Sequence, residues 1–88
     1  MTTPIIVPAL GTVNQRLTVS LWLTRVGEQV SAGDRVVELL MPGVTFDIES
    51  PCTGTVIACE CQPGTEVEEG TVLGWIDPAV TAESEQER

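Results

Sequence analysis

The sequence predicts a small all-β domain, a sandwich or barrel of short strands, and three observations predict it. Turn formers punctuate the 88 residues at short intervals, at Gly11, Gly27, Gly33, Pro42-Gly43, Pro51 with Gly54, Pro63-Gly64 and Gly70. The runs between them are rich in Val, Ile and Thr, which suit a pleated, half-buried surface. No run of useful length repeats its apolar residues at helical spacing. Third, the chain repeats itself. Val26-Gly27-Glu28-Gln29-Val30-Ser31-Ala32-Gly33 returns 37 residues later as Pro63-Gly64-Thr65-Glu66-Val67-Glu68-Glu69-Gly70.

Strands are predicted at Ile5–Pro8, before the Gly11 turn, and at Leu17–Leu23, before Gly27. Arg35–Leu40 follows Gly33, and Val44–Glu49 lies between Pro42-Gly43 and Pro51. In the latter, Val44, Phe46 and Ile48 alternate with Thr45, Asp47 and Glu49, the pattern of a strand with one buried and one wet face. Gly54–Cys61 and Val72–Ile76 complete the set, while Val30 and Val67 fall in very short strands or turns. The repeat continues from Val36 to Leu73 and from Leu39 to Ile76, so the domain should consist of two similar halves about a pseudo-twofold axis. Only Trp22, Phe46 and Trp75 are aromatic, which leaves aliphatic side chains to fill the core. Residues 1–77 form the expected domain. Residues 78–88, with Glu83, Glu85 and Glu87 and almost no large apolar side chain, form an expected flexible acidic tail or the start of a linker.

Thirteen acids face four bases, all of them arginine, for a net charge of −9. Such a body repels phosphate backbones and anionic membrane surfaces, so neither nucleic acid nor membrane is an expected partner. A basic protein partner is compatible with the charge, and so is acidity that merely maintains solubility. No apolar run reaches the roughly 20 residues that span a bilayer. Met1-Thr2-Thr3-Pro4 lacks the basic start of a secretory signal, and the expected location is cytoplasmic.

The ordered set Val7-Pro8-Ala9-Leu10-Gly11, Val19 with Trp22-Leu23, Gly27-Glu28-Gln29-Val30, Ser50-Pro51 with Gly54-Thr55-Val56, and Gly64, Val67, Gly70, Leu73 and Ile76-Asp77 resembles the lipoyl/biotinyl carrier domains. These occur in the acyltransferases of 2-oxo-acid dehydrogenase complexes. The resemblance implies a flattened β-barrel or sandwich of two four-stranded sheets with quasi-twofold symmetry. It also implies a lysine at the tip of an exposed hairpin, within a D-K-A/V turn, where an amide bond holds lipoate or biotin. The tethered arm then carries a reactive group between distant sites, gaining from proximity.

That lysine is missing. Counting back from Ser50-Pro51 sets its position at Gly43, within Leu40-Met41-Pro42-Gly43-Val44, and the chain contains no lysine anywhere. No cofactor is therefore expected. Pro42-Gly43 reads as a well-formed type II turn, with Pro at the second position and Gly at the third. It closes a hairpin whether or not it does anything more. Where the family carries acids and lysine, Leu40 and Met41 make the tip apolar, a feature that marks contact sites. The loop Thr12-Val13-Asn14-Gln15-Arg16-Leu17 also departs from the family's acidic pattern, and in the family this loop lies beside the lysine hairpin. Leu40, Met41, Pro42, Gly43, Val44, Asn14, Gln15 and Arg16 are accordingly the candidate partner-contact residues, at one end of the molecule.

Cys59-Glu60-Cys61 on a strand would point two thiols to one face, as half of a zinc site. Histidine is absent and only Cys52 remains as a further thiol, so core cysteines are the expectation and no metal is assigned. Cys52, in a turn, should be the more exposed thiol. No Ser/His/Asp set exists for catalysis, Glu68-Glu69 belongs to a solvated turn, and the glycines are spaced as turns rather than as a phosphate loop. The leading expectation is a non-catalytic domain acting by protein contact: an adaptor, a decoy or a structural part of an acyl-transfer complex. A second is a lipoyl-domain part of a 2-oxo-acid dehydrogenase or biotin-dependent carboxylase system in which another domain bears the cofactor. A third is a cysteine-based carrier or metal binder.

Overall fold

A computed structural model describes residues 1–11 and 16–79. The strands are β1 (Thr3–Ile6), β2 (Leu17–Trp22), β3 (Gln29–Val30), β4 (Arg35–Met41), β5 (Val44–Glu49), β6 (Gly54–Cys59), β7 (Glu66–Val67) and β8 (Val72–Pro78). They form two four-stranded antiparallel sheets, ordered β1-β8-β6-β3 and β5-β4-β2-β7. The all-β architecture of two four-stranded sheets expected from the sequence is the one observed.

The 37-residue repeat is written into this order. Moving 37 positions along the chain takes β2 to β6, β3 to β7 and β4 to β8, and the two edge strands β5 and β1 complete the match. Hydrogen bonds repeat with it. Gly27 N–H donates to the Val56 carbonyl at 2.7 Å, and Gly64 N–H donates to the Val19 carbonyl at 2.7 Å. The register shift between Val19 and Leu21 recurs between Val56 and Ala58. Gly27 and Gly64 both adopt positive φ (97° and 91°), which a side chain rarely tolerates, so the turn requires glycine in each half.

Apolar alternation along each strand supplies the core between the sheets. Val19, Val36, Leu39, Val56, Leu73 and Ile76 are fully buried within it, together with Ile5 and Val7. These pair across the repeat as Val19 with Val56, Val36 with Leu73, and Leu39 with Ile76. The core is thus two copies of one apolar pattern, and neither copy buries its face alone.

Several boundaries differ from the sequence reading: β1 ends at Ile6 rather than Pro8, β2 at Trp22 rather than Leu23 and β4 at Met41 rather than Leu40, and three further differences have a visible cause or consequence. The first strand begins earlier, because Thr3 and Pro4 pair with Ile76 and Trp75. Pro4 is tolerated there because β1 is an edge strand, where a missing N–H interrupts no inner ladder. The sixth strand stops at Cys59 rather than Cys61. The last runs through Pro78, and Ala79 N–H then donates to the Thr53 carbonyl at 2.9 Å. Residues 80–88, most of the expected tail, lie outside the described residues.

Candidate functional site

The β4–β5 hairpin closes in two residues. Met41 pairs with Val44, and Pro42 and Gly43 form the loop. Gly43 has φ +81°, as the third position of a type II turn demands. A Cβ built on Gly43 would meet nothing within 4 Å, so the tip stands free of the body.

The apolar residues around this tip divide between two faces. Leu40, on the outward face, is 42% exposed, and Val44, paired with Met41 on the inward side, is 48% exposed at the end of the hairpin. Met41 instead packs against the hydrophobic core. Alternation explains the split: Met41 follows Leu39 on the inward face of β4, and Leu40 points the other way.

Arg16 precedes β2. Its Nε lies 2.7 Å from Glu66 Oε2 on β7, with both side chains largely exposed, so the pair orients Arg16 more than it stabilises the fold. Because β2 runs between β4 and β7, Arg16 and the hairpin share one open groove of about 270 Å³, lined by Arg16, Thr18, Leu40, Met41, Pro42 and Gly43. A second groove of about 380 Å³ on the other side of Arg16 is acidic, with Glu66 and Glu68 in its walls. Among the eight residues singled out in the sequence, Arg16 and Leu40–Gly43 are brought together here, and Val44 flanks them. Asn14 and Gln15 lie outside the described residues. Thr18 in this groove and Glu66 in the second one were not foreseen, since only the pairing of Thr18 with both Leu40 and Glu66 brings them near Arg16.

All three cysteines are free and half-buried, and each packs against the core. Cys52 is therefore not set apart by exposure. Cys61 falls beyond the end of β6, where its carbonyl accepts the Trp22 indole N–H at 2.8 Å and its Sγ lies 3.6 Å from the Val72 carbonyl. Burial pushes the Cys59 thiol above its ordinary range, and burial with the neighbouring Glu60 charge does the same to Cys61. Both are poor nucleophiles near neutrality. Among the described residues, no three His, Cys, Asp or Glu side chains converge to hold a metal ion.

The family model for biotin-requiring enzymes, the biotin/lipoyl domain, matches residues 3–76. The chain belongs to this family. Over 79 residues this biotin/lipoyl domain is 32% identical to the dihydrolipoyllysine-residue acetyltransferase component of the acetoin cleaving system of Bacillus subtilis, covering 90% of the chain and 20% of that protein. Over 77 residues it is 35% identical to the dihydrolipoyllysine-residue succinyltransferase component of the 2-oxoglutarate dehydrogenase complex of Bartonella vinsonii, covering 88% and 19%. The chain thus spans about a fifth of the length of these relatives. The fold matches the solved lipoyl domain of the 2-oxoglutarate dehydrogenase complex from Azotobacter vinelandii with a TM-score of 0.65 at 20% identity, covering 85% of this chain and 99% of that one. It also matches part of a single-chain, multi-domain long-chain acyl-CoA carboxylase with a TM-score of 0.71 at 16% identity, covering 98% of this chain and 8% of that one. The domain corresponds to the non-catalytic carrier-type portion of such larger proteins and is not itself an enzyme.

Proposed function

We propose that this biotin/lipoyl domain acts by protein contact through the tip of the β4–β5 hairpin, and not by carrying lipoate or biotin on lysine. The observation that carries the reading is the tip itself. Counted back from Ser50-Pro51, Gly43 stands where the family resemblance implies the modified lysine, and the neighbouring side chains Leu40, Met41, Pro42 and Val44 offer no amine. An amide to lipoate or biotin needs a primary amine, so these residues do not fit either group. A bare hairpin tip next to a groove that combines an arginine with exposed apolar surface supports a docking role instead. The partner is then a protein component of a 2-oxo-acid dehydrogenase or related complex in the cytoplasm. Resemblance to the acetyltransferase and succinyltransferase components supports that choice.

Intact mass of the protein from its native host tests the reading. A mass equal to the bare chain, allowing for loss of Met1, is the expected result. An added group on Cys52, Cys59 or Cys61 would overturn it in favour of a thiol carrier. One observation favours a second reading: the curated relatives are more than four times as long as this chain. The domain would then be one part of a larger system whose cofactor sits on another domain, and a downstream reading frame encoding an acyltransferase core would favour it.

A further inference from the structure

Each sheet ends in two edge strands, and the edges are not alike. β3 and β7 have two residues each, and the four-residue β1 contains Pro4. β5 has six residues, Val44–Glu49, with neither proline nor glycine. A turn bond joins Met41 and Val44 across Pro42-Gly43, and bonded residues alternate along an antiparallel pair. Thr45 and Asp47 therefore turn their N–H and C=O groups away from β4. Among the described residues, no hydrogen bond from outside the β4–β5 pair reaches these groups. The quasi-twofold relation sharpens the contrast. Glu38 corresponds to Trp75 in the repeat, and their edge partners are Asp47 and Pro4. Pro4 removes an N–H from the outer edge of β1 at the point where Asp47 keeps one in β5. The scaffold thus accepts a proline that blocks strand addition, and β5 does not carry it.

Side chains select the occupant. Asp47 and Glu49 lie two apart on β5, on the face opposite the inward Phe46 and Ile48. Asp47 stands directly across from Glu38, a like-charge pair that costs stability, and Arg35 approaches Asp47 no closer than 3.7 Å. Along the same edge runs an open groove of about 330 Å³ lined by Ile6, Pro8, Asp47, Ile48 and Glu49. A strand added to β5 sets alternate side chains beside Asp47 and Glu49 and turns the one between them toward Ile6, Pro8 and Ile48. Bases in the first positions and an aliphatic in the second complement this edge. The chain itself supplies no such strand: it has no lysine, and Arg16, Arg25, Arg35 and Arg88 are never two apart. A second copy would bring carboxylates against carboxylates.

We propose that the open edge of β5 accepts, as an added strand, an extended segment of a partner protein in which basic and aliphatic residues alternate. This contact does not depend on the one assigned to the hairpin tip. Titration of the full chain with a capped peptide of about six residues, alternating lysine and valine, tests it by amide NMR. The expected result is a set of shifts concentrated on Val44–Glu49, slowed exchange of the Asp47 N–H, and affinity that falls as salt rises. The same peptide with glutamate in place of lysine should bind about tenfold more weakly or worse. Asp47→Asn keeps the N–H and should weaken binding about threefold, whereas Asp47→Pro, which copies the device of β1, should abolish it. A folded Asp47→Pro domain that binds as well as Asp47→Asn would overturn the proposal, because charge alone would then account for the attraction. Should Asp47→Pro unfold, a peptide N-methylated at alternate backbone amides replaces it, and binding that both N-methylation patterns leave unchanged would overturn the proposal equally. Shifts spread over the other acidic surfaces, or no binding up to about 1 mM, would overturn it as well.

Discussion

Leu39 and Leu40 are adjacent on β4, chemically identical, and opposite in fate, which makes them a direct test of the division between fold and contact surface. Leu39 is 0% exposed and Leu40 is 42% exposed. Truncating Leu39 to Ala opens a cavity between the sheets, at a cost of about 2–5 kcal/mol. For Leu40, burying a whole leucine side chain contributes about 1.5–3 kcal/mol, and only about half of this one is covered, so Leu40→Ser should cost about 1 kcal/mol. A chain of this length is stable by about 4–13 kcal/mol, at roughly 0.05–0.15 kcal/mol per residue. Leu39→Ala therefore removes a large share of the stability, whereas Leu40→Ser leaves a folded domain. Urea unfolding followed by tryptophan fluorescence measures both on one scale, provided the m-values agree. If Leu40→Ser proved as costly as Leu39→Ala, Leu40 would belong to the core and the assignment of the hairpin's outer side to partner contact would collapse. With the fold intact, the same variant should lose a partner that the wild-type domain binds.

Gly54→Ala should destabilise by about 1–3 kcal/mol, because the new Cβ collides with the Asp77 carbonyl oxygen and lies 2.8 Å from Ile76 Cγ2. Gly43→Ala, with open space but φ +81°, should cost only about 1–2 kcal/mol, and thermal melts that reversed this order would be inconsistent with the geometry. Trp22→Phe removes the bond to the Cys61 carbonyl and should cost about 1 kcal/mol. In a double-mutant cycle it should relieve only part of the harm of Gly74→Ala, since the new Cβ meets the Ala58 carbonyl as well as Trp22 Cη2 at 2.9 Å. Full additivity would show that the indole does not occupy the space over Gly74. Cys59 and Cys61 keep their protons in the fold beyond the ordinary thiol value of 9.0, so between that value and the folded one the native state binds more protons than the unfolded. Their contribution to stability is complete below about pH 9 and declines as the pH rises through the folded values. Urea midpoints at neutral pH and at pH above 9, for wild type and Cys59→Ser/Cys61→Ser, check the sign; a wild-type midpoint that rose relative to the variant would contradict it.

Most of the fold was legible because burial imposes a period of two on each strand and turns impose glycine. Phe46 and Ile48 marked an inward face before any pairing was known, while Val44 on the same side lies at the open end and is exposed, and the Gly27/Gly64 and Gly33/Gly70 pairs marked equivalent turns. What could not be read was adjacency. The neighbours of β8 are β1 and β6, both distant in sequence, and no local pattern states that Trp75 lies between Pro4 and Ala58. Cys61 was placed on a strand because its apolar alternation continues past Cys59; the ladder ends there, and the Glu60 N–H turns to the Leu73 carbonyl at 2.8 Å. At the hairpin, Pro42-Gly43 revealed the turn directly. The inward packing of Met41 was missed because the tip was treated as one apolar cluster, although alternation from Leu39 already assigns Met41 to the core side.

The two halves also show which parts of the scaffold were free to change. Fully buried positions keep their chemical class across the repeat, as in Val19 and Val56, Val36 and Leu73, or Leu39 and Ile76. Positions outside the core do not: Glu38 corresponds to Trp75, Leu40 to Asp77, and Arg16 to Thr53. Close packing holds the first group fixed, because an altered volume there costs kilocalories, while surface changes away from such features stay within about half a kilocalorie. Gly43 is likewise outside the core, with open space where a Cβ would lie, so no core contact depends on a side chain at this tip. Pro42 fixes φ at the second turn position, and the glycine beside it satisfies the third. On the function proposed above, this lysine-free tip, with Leu40 exposed on its outward side and Val44 exposed on the side of Met41, would be the surface that a partner reads.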